Sequence, residues 1–153
     1  PQPTTVPAGK VEVLEVFSYG CPACNSFAPL MQRLKQSLPP QAVVTYLPAS
    51  WNKAENWPML QRAYLTAVSL GVAERTHDAM YAAVWKTGEL GITDKATQRL
   101  KTQLPTIEDA ARFYQRSAGI PPDRFIATEV VCGRDGDAPG RPEDQGDADS
   151  LDT

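Results

Sequence analysis

Two cysteines, Cys21 and Cys24, stand one helical turn apart in the stretch FSYGCPACNSFAPL (17–30), directly behind a run of apolar residues. A strand that ends at a cysteine opening a helix makes a thiolate site. The helix N-terminus presents unpaired N–H groups and a partial positive charge, and both lower the pKa of the first cysteine. Cys21 is then the exposed, nucleophilic sulfur. Cys24, a turn deeper, is the resolving sulfur that closes the disulfide or releases a mixed disulfide. Pro22 and Ala23 support the pair: Pro22, at the first helical position, costs no hydrogen bond and stiffens the turn. Glu15, on the preceding strand, is placed to lie beneath the pair as a buried carboxylate with a raised pKa. There it would relay a proton to or from Cys24.

Other readings fit the same residue types. A CxxC can be half of a zinc site, but a structural site wants four ligands. Only Cys132 and the lone His77 remain for it, far apart in the sequence. The pair also fits an inert structural disulfide, and Glu15 also fits a strand-edge acid facing solvent. His77 reads as a surface or internally satisfied helix residue rather than a ligand, and Cys132 takes no role.

The elements that must position these residues follow from periodicity. KVEVLEVF (10–17) reads as a buried strand with Val11, Val13, Glu15 and Phe17 on one face. From Cys24 to Leu38, apolar residues recur at three and four, which predicts a helix ended by Pro39-Pro40. AVVTYLP (42–48) is a second strand, so the opening is strand, CxxC, helix, strand: the start of a βαβ unit. Helical patterns then cover 59–71, 73–88, a segment with Thr93 as N-cap, 106–119 with Thr106 and Asp109 at capping-box spacing, and a last one from PPDRFIATEVV. Trp57, Tyr64, Tyr81, Trp85, Phe113 and Tyr114 recur at helical spacing in this block and are expected in its core.

At 153 residues the chain has one domain's worth of core-forming sequence, with 42% hydrophobic and 8% aromatic residues. A net charge of −3 with no basic stripe argues against a nucleic-acid partner. Three cysteines are too few for a disulfide scaffold and suit chemistry better. The apolar runs are too short to span a bilayer. The polar, proline-broken lead PQPTTVPAG is compatible with a mature N-terminus left by export. The end is different again: from Gly133 to Thr153 seven acids face two arginines among Gly, Asp and Pro, and the segment reads as disordered.

With these residues in hand, VLEVFSYGCPAC resembles the active-site segment of the DsbA family of thioredoxin-fold disulfide oxidoreductases, and LTAVSLGV and FYQRSAGI resemble that family's inserted helical domain. The resemblance runs from about Val11 to Val130. It implies an α/β fold, a thioredoxin-like βαβ core carrying an inserted all-helical domain. The spans are a lead at 1–10, the CxxC segment at 11–57, the helical insert and following helix at 58–130, and a polar tail at 131–153. It implies a thiol–disulfide oxidoreductase in the periplasm, with the Cys21–Cys24 disulfide in place of any added cofactor. Cys21 would be the nucleophile, Cys24 the resolving cysteine and Glu15 the buried acid. Its partners would be reduced or unfolded exported proteins and a quinone-linked membrane protein that reoxidises the pair.

The sequence departs from the family in three places. Ala23 stands where His is common between Pro and the second Cys, which predicts a less depressed thiol pKa and a less oxidising couple. Thr45 stands near the position of a strand lysine that often partners the buried acid. The expected C-terminal part, with a cis-proline opening a strand against the CxxC, is not legible after the insert, so the sheet is expected to be incomplete. Back-translating residues 130–153 and reading one base forward permits SFAVETAMRRADQKIKATQIPSI, an amphipathic helix running into an I-P-S-I segment. This predicts that the tail is an out-of-frame reading of an ordinary C-terminus. Two further readings stay open: a catalytically impaired remnant and a dithiol that binds a soft metal ion.

Overall fold

The computed structural model describes residues 6–134, with side chains through Glu129. The expected tail at 131–153 falls largely outside the described residues. Strand β1 (Val11–Phe17) leads through a tight turn into helix α1 (Pro22–Ser37), and strand β2 (Ala42–Pro48) returns beside β1. Helices α2 (Trp57–Ser69) and α3 (Ala73–Tyr81) follow, then a π-helical turn (Ala82–Lys86), α4 (Ile107–Ala118) and α5 (Pro122–Arg134). The fold is α/β, as the strand–helix–strand opening followed by a helical run requires.

The two strands pair in parallel, with Val11 opposite Ala42 and Phe17 opposite Pro48. A parallel pair needs a crossover of a dozen residues or more, and α1 is that crossover. Register puts Val13, Glu15 and Phe17 beside Val44, Tyr46 and Pro48 on the face toward the helices. Leu14 and Val16 lie on the other face, and both are about half exposed (52% and 51%). The strand expected to be buried is therefore covered on one face only, because among the described residues the sheet has two strands.

Phe17 is the hinge of the core. Its ring meets those of Tyr19, Tyr46, Tyr64 and His77 at centroid distances of 5.0–5.8 Å, each near edge-on. Beyond it the helical block packs around Ala63, Ala67, Ala110, Tyr114 and Phe125, all fully buried. Small residues on α2 and α4 let those helices approach. The Tyr114 and Phe125 rings stack at 4.8 Å, and Arg62 of α2 donates through Nε to Glu129 Oε1 of α5 at 2.5 Å. Of the six aromatics expected in the core, five are buried and Trp85 is partly buried against it.

Two helical expectations change. The segment from Thr93 to Leu104 is not a helix: Thr93 bridges to Leu100 in antiparallel fashion, and Gln98 takes a left-handed φ of 55°. The cause is Asp94, whose Oδ1 accepts from the Ala96 and Thr97 N–H groups at 3.0 and 2.7 Å. Such a side chain offers the backbone a turn in place of a helix. The helix expected over 73–88 is ordinary only to Tyr81, where the π-helical turn takes over. By contrast, the Thr106–Asp109 capping box forms, with the Thr106 N–H donating to Asp109 Oδ2 at 2.8 Å, and Gly119 closes α4 at a φ of 70°.

Candidate active site

The turn between β1 and α1 is built by Ser18. Its carbonyl accepts from the Cys21 N–H at 3.1 Å and its hydroxyl from the Gly20 N–H, also at 3.1 Å. The chain thereby arrives at Cys21 in an extended conformation (φ −86°, ψ 120°), which suits an N-cap. Cys21 caps α1 with its own sulfur: the Cys24 N–H donates to Cys21 Sγ at 3.4 Å, and the Asn25 N–H donates to the Cys21 carbonyl at 3.0 Å. Pro22 occupies the first turn, where no donor is lost. Both thiols are free and partly exposed, whereas Pro22 and Ala23 between them are exposed.

Gly20 is fixed by its neighbour. A Cβ at this position would sit 2.7 Å from the Trp57 indole, so only glycine lets α2's first residue pack against the loop. The loop is also tied to the π-helical turn, since Trp85 Nε1 donates to the Tyr19 carbonyl at 2.7 Å. Two tryptophans from the helical block thus hold the residues just ahead of Cys21. Neither was identified from sequence as more than core; a glycine immediately before a CxxC was the available signal.

Electrostatics separate the elements of the site. Burial pushes the Cys24 thiol up to about 11, and the negative forms of Cys21 and Glu15 add to the rise, while a backbone hydrogen bond from Ser18 works against it. Burial also raises the Glu15 carboxyl above its usual range, opposed by the charge of Lys35. Glu15 and Cys24 therefore lie within electrostatic reach of one another, on β1 and α1. The cation that acts on Glu15 comes from α1 and not from the second strand. Thr45 donates instead to Glu12 Oε1 at 2.7 Å, and Lys35 Nζ stands 3.1 Å from Glu74 Oε1 and 5.5 Å from the centre of the Tyr46 ring.

His77 is internal rather than at the surface. It is 8% exposed, its Nδ1 lies 2.9 Å from the Tyr19 hydroxyl, and burial depresses its pKa to about 4. Among the described residues no group of three or more His, Cys, Asp or Glu side chains could hold a metal ion. Among them, too, no helix is long and apolar enough to cross a membrane.

No protein-family model matches the chain. Similar proteins are found by sequence: a thiol:disulfide interchange protein DsbA of Pseudomonas aeruginosa is 30% identical over 128 residues, 84% of this chain and 53% of that protein. The protein of the same name from Pseudomonas syringae pv. tomato is 34% identical over 126 residues, 82% of this chain and 51% of its own length. The chain thus spans about half the length of the curated relatives it matches. Among solved structures, the oxidoreductase DsbA of Xylella fastidiosa superposes with a TM-score of 0.65 at 35% identity, covering 80% of this chain and 58% of that one. The crystal structure of Pseudomonas aeruginosa DsbA gives 0.63 at 29% identity, covering 87% and 62%.

Proposed function

This chain belongs to the DsbA family of thiol:disulfide interchange proteins, and from that premise we propose that its Cys21–Cys24 pair exchanges disulfides with dithiols of exported proteins. The observation that supports this most directly is the capping contact: the sulfur of Cys21 sits at the N-terminus of α1 with the Cys24 N–H 3.4 Å away. A thiolate formed there meets an N–H donor and the positive end of the helix.

In the oxidising direction, a substrate thiolate attacks Cys21 Sγ of the Cys21–Cys24 disulfide. A bond forms between the substrate sulfur and Cys21, the Cys21–Cys24 bond breaks, and its electron pair leaves on Cys24. A second substrate thiolate then attacks the substrate sulfur of the mixed disulfide and expels Cys21 as a thiolate. The substrate loses two electrons and the pair gains them. With its carboxyl raised by burial, Glu15 is suited to hold a proton and pass it to the Cys24 thiolate. No added cofactor is needed, because the electrons reside in the two sulfurs.

The wider assignment follows the family: action in the periplasm on reduced or unfolded proteins, with reoxidation by a quinone-linked membrane protein. Residues 11–57 would carry the chemistry and 58–130 would form the helical insert and the helix that follows. Ala23 places no charge between the cysteines, which supports a couple less oxidising than one with histidine there. A second reading, a catalytically impaired remnant, is favoured by one observation. Val16 and Leu47 lie on the same outer face of the ladder, each 51% exposed, where further structure would have to pack.

The test is catalysed oxidation of a reduced, unfolded protein by the purified chain, with a Cys21→Ala control. Turnover that vanishes in the control is expected. A folded chain that forms the Cys21–Cys24 disulfide yet turns nothing over would favour the second reading.

A further inference from the structure

Tyr81 is the last residue of α3, 4% exposed, and its hydroxyl is buried with no hydrogen-bond partner. A buried phenol without a partner has given up its hydrogen bond to water for nothing and is rare in native proteins. Tyr114 has the other such hydroxyl among the described residues, but it lies beside Thr76 in the helical block. Tyr81 is placed differently. It belongs to the same buried cluster that Cys24 and Ala28 of α1 pack against, and it lines a groove with Asn25, Ala28 and Trp85 beside the CxxC.

Its ring is held in place. Tyr19 meets it edge-on at 5.0 Å and His77 at 5.2 Å. The π-helical turn begins at the next residue and is fastened to the loop before Cys21 through Trp85 and the Tyr19 carbonyl. The titratable groups around the phenol are Cys24 of α1 and Cys21 at its N-cap, Glu15 of β1, Tyr46 of β2, Tyr19 of the loop and His77 of its own helix, and Asp78 and Lys86 line the same groove. After burial, Cys24 in its charged form is the strongest influence on it, followed by Glu15, Cys21 and Tyr46, and each of these raises its pKa. The phenol therefore stays protonated, a donor at any working pH.

We propose that Tyr81 is a positioning residue for disulfide exchange, its hydroxyl donating to the Cys24 sulfur when the Cys21–Cys24 bond opens and that sulfur, now charged, shifts into its reach. The unused donor in the dithiol state then has its partner in the charged one. Tyr81 gives up no proton: the electron pair from the broken S–S bond rests on Cys24, and the proton that later quenches it comes from Glu15 or solvent. The effect is to make Cys24 a better leaving group on a site where burial otherwise makes it a poor one.

This proposal rests on the exchange reading of the cysteine pair, and two measurements separate the fates of the two. In the first, the oxidised chain and its Tyr81→Phe variant are opened by dithiothreitol across pH 6–9. A hydrogen bond to a charged group is worth enough for the variant's opening rate to fall about ten-fold. Its melting temperature should hold or rise, since the phenol had no partner to lose.

In the second, iodoacetamide modification of Cys24 is followed against pH in a Cys21→Ser, Cys132→Ser background with and without Tyr81→Phe. Loss of the donor should lower the Cys24 rate about three-fold or more, as less thiolate is present at each pH. A parent chain whose disulfide never opens would defeat the exchange reading, while the alkylation profile would still judge Tyr81. An unchanged Cys24 profile, or a fall in rate matched by a fall in melting temperature, overturns the role given to Tyr81.

Discussion

The Tyr19 hydroxyl and His77 Nδ1 stand 2.9 Å apart in the densest aromatic part of the core, one residue from the loop that delivers Cys21 and the other from α3. The phenol and the neutral imidazole share a buried hydrogen bond, and burial holds the imidazole's pKa down at about 4. An unfolded chain protonates the same ring near 6.5. Between these values the unfolded state binds more protons, so this contribution is intact above about pH 6.5 and is lost as the pH falls toward 4. Urea denaturation at half-unit pH steps should show the slope, approaching ~1 kcal/mol per pH unit at most. It should shrink in His77→Gln. An equal slope in both proteins would assign the acid sensitivity to carboxylates instead.

Glu15 works in the opposite sense. Its carboxyl is raised in the folded state by burial, so the native chain binds the extra proton, and the stability linked to it is present at low pH and declines as the carboxyl ionises. Glu15→Gln should melt higher than the parent at pH 7, with the gap closing toward pH 4. A variant that melts lower at pH 7 would mean that the carboxylate is held by favourable contacts and not merely tolerated.

The two thiols should react unequally. A Cys24 pKa of about 11 leaves on the order of one thiolate in a thousand at pH 8. Alkylation of the reduced chain at that pH, followed by peptide mass mapping, should mark Cys21 at least about ten-fold faster than Cys24. Equal labelling would remove the basis for reading Cys21 as the exposed, more nucleophilic sulfur of the pair.

Gly20→Ala should cost roughly 1–3 kcal/mol, because the new methyl would lie 2.7 Å from the Trp57 indole and one of the two must shift. The displacement is adjacent to Cys21, so disulfide opening should change along with thermal stability. Trp57→Phe, which gives the methyl room, should restore part of what the methyl costs. No coupling between the two substitutions in a double-mutant cycle would contradict the contact.

Arg62→Ala should destabilise by about 1–3 kcal/mol, since Glu129 is left buried without the guanidinium that stands 2.5 Å from it. The double variant Arg62→Ala, Glu129→Gln should recover part of that loss, as measured by chemical denaturation.

What was legible in the sequence was whatever depended on neighbours along the chain. Both strands could be placed because Val and Leu runs ended at turn residues, and α4 because Thr106, Asp109 and Gly119 carried both its start and its stop signals. The cysteine pair stood out for the same reason. The segment after Thr93 misled because its helix-like apolar spacing competed with one aspartate whose side chain satisfied the backbone locally. Placement of Glu15 on the helix-facing side followed from alternation, but its cation did not: Lys35 lies on the crossover helix, and nothing in the strand pattern points there. Tyr81 read as a core aromatic, which it is, and its neighbourhood with Cys24 arises only when α3 folds back across α1.

The unequal covering of the two halves has a consequence in amide exchange. Amides of α2 and α5, whose facing side chains are fully buried and tied by Arg62 and Glu129, should exchange slowest. Those of β1 and β2, flanked by the half-exposed Leu14, Val16 and Leu47, should exchange well before them. The turn that presents Cys21 is fastened to the helical block through the Trp85 indole and to the ladder through the end of β1. When the ladder frays, the cysteines stay with the helices.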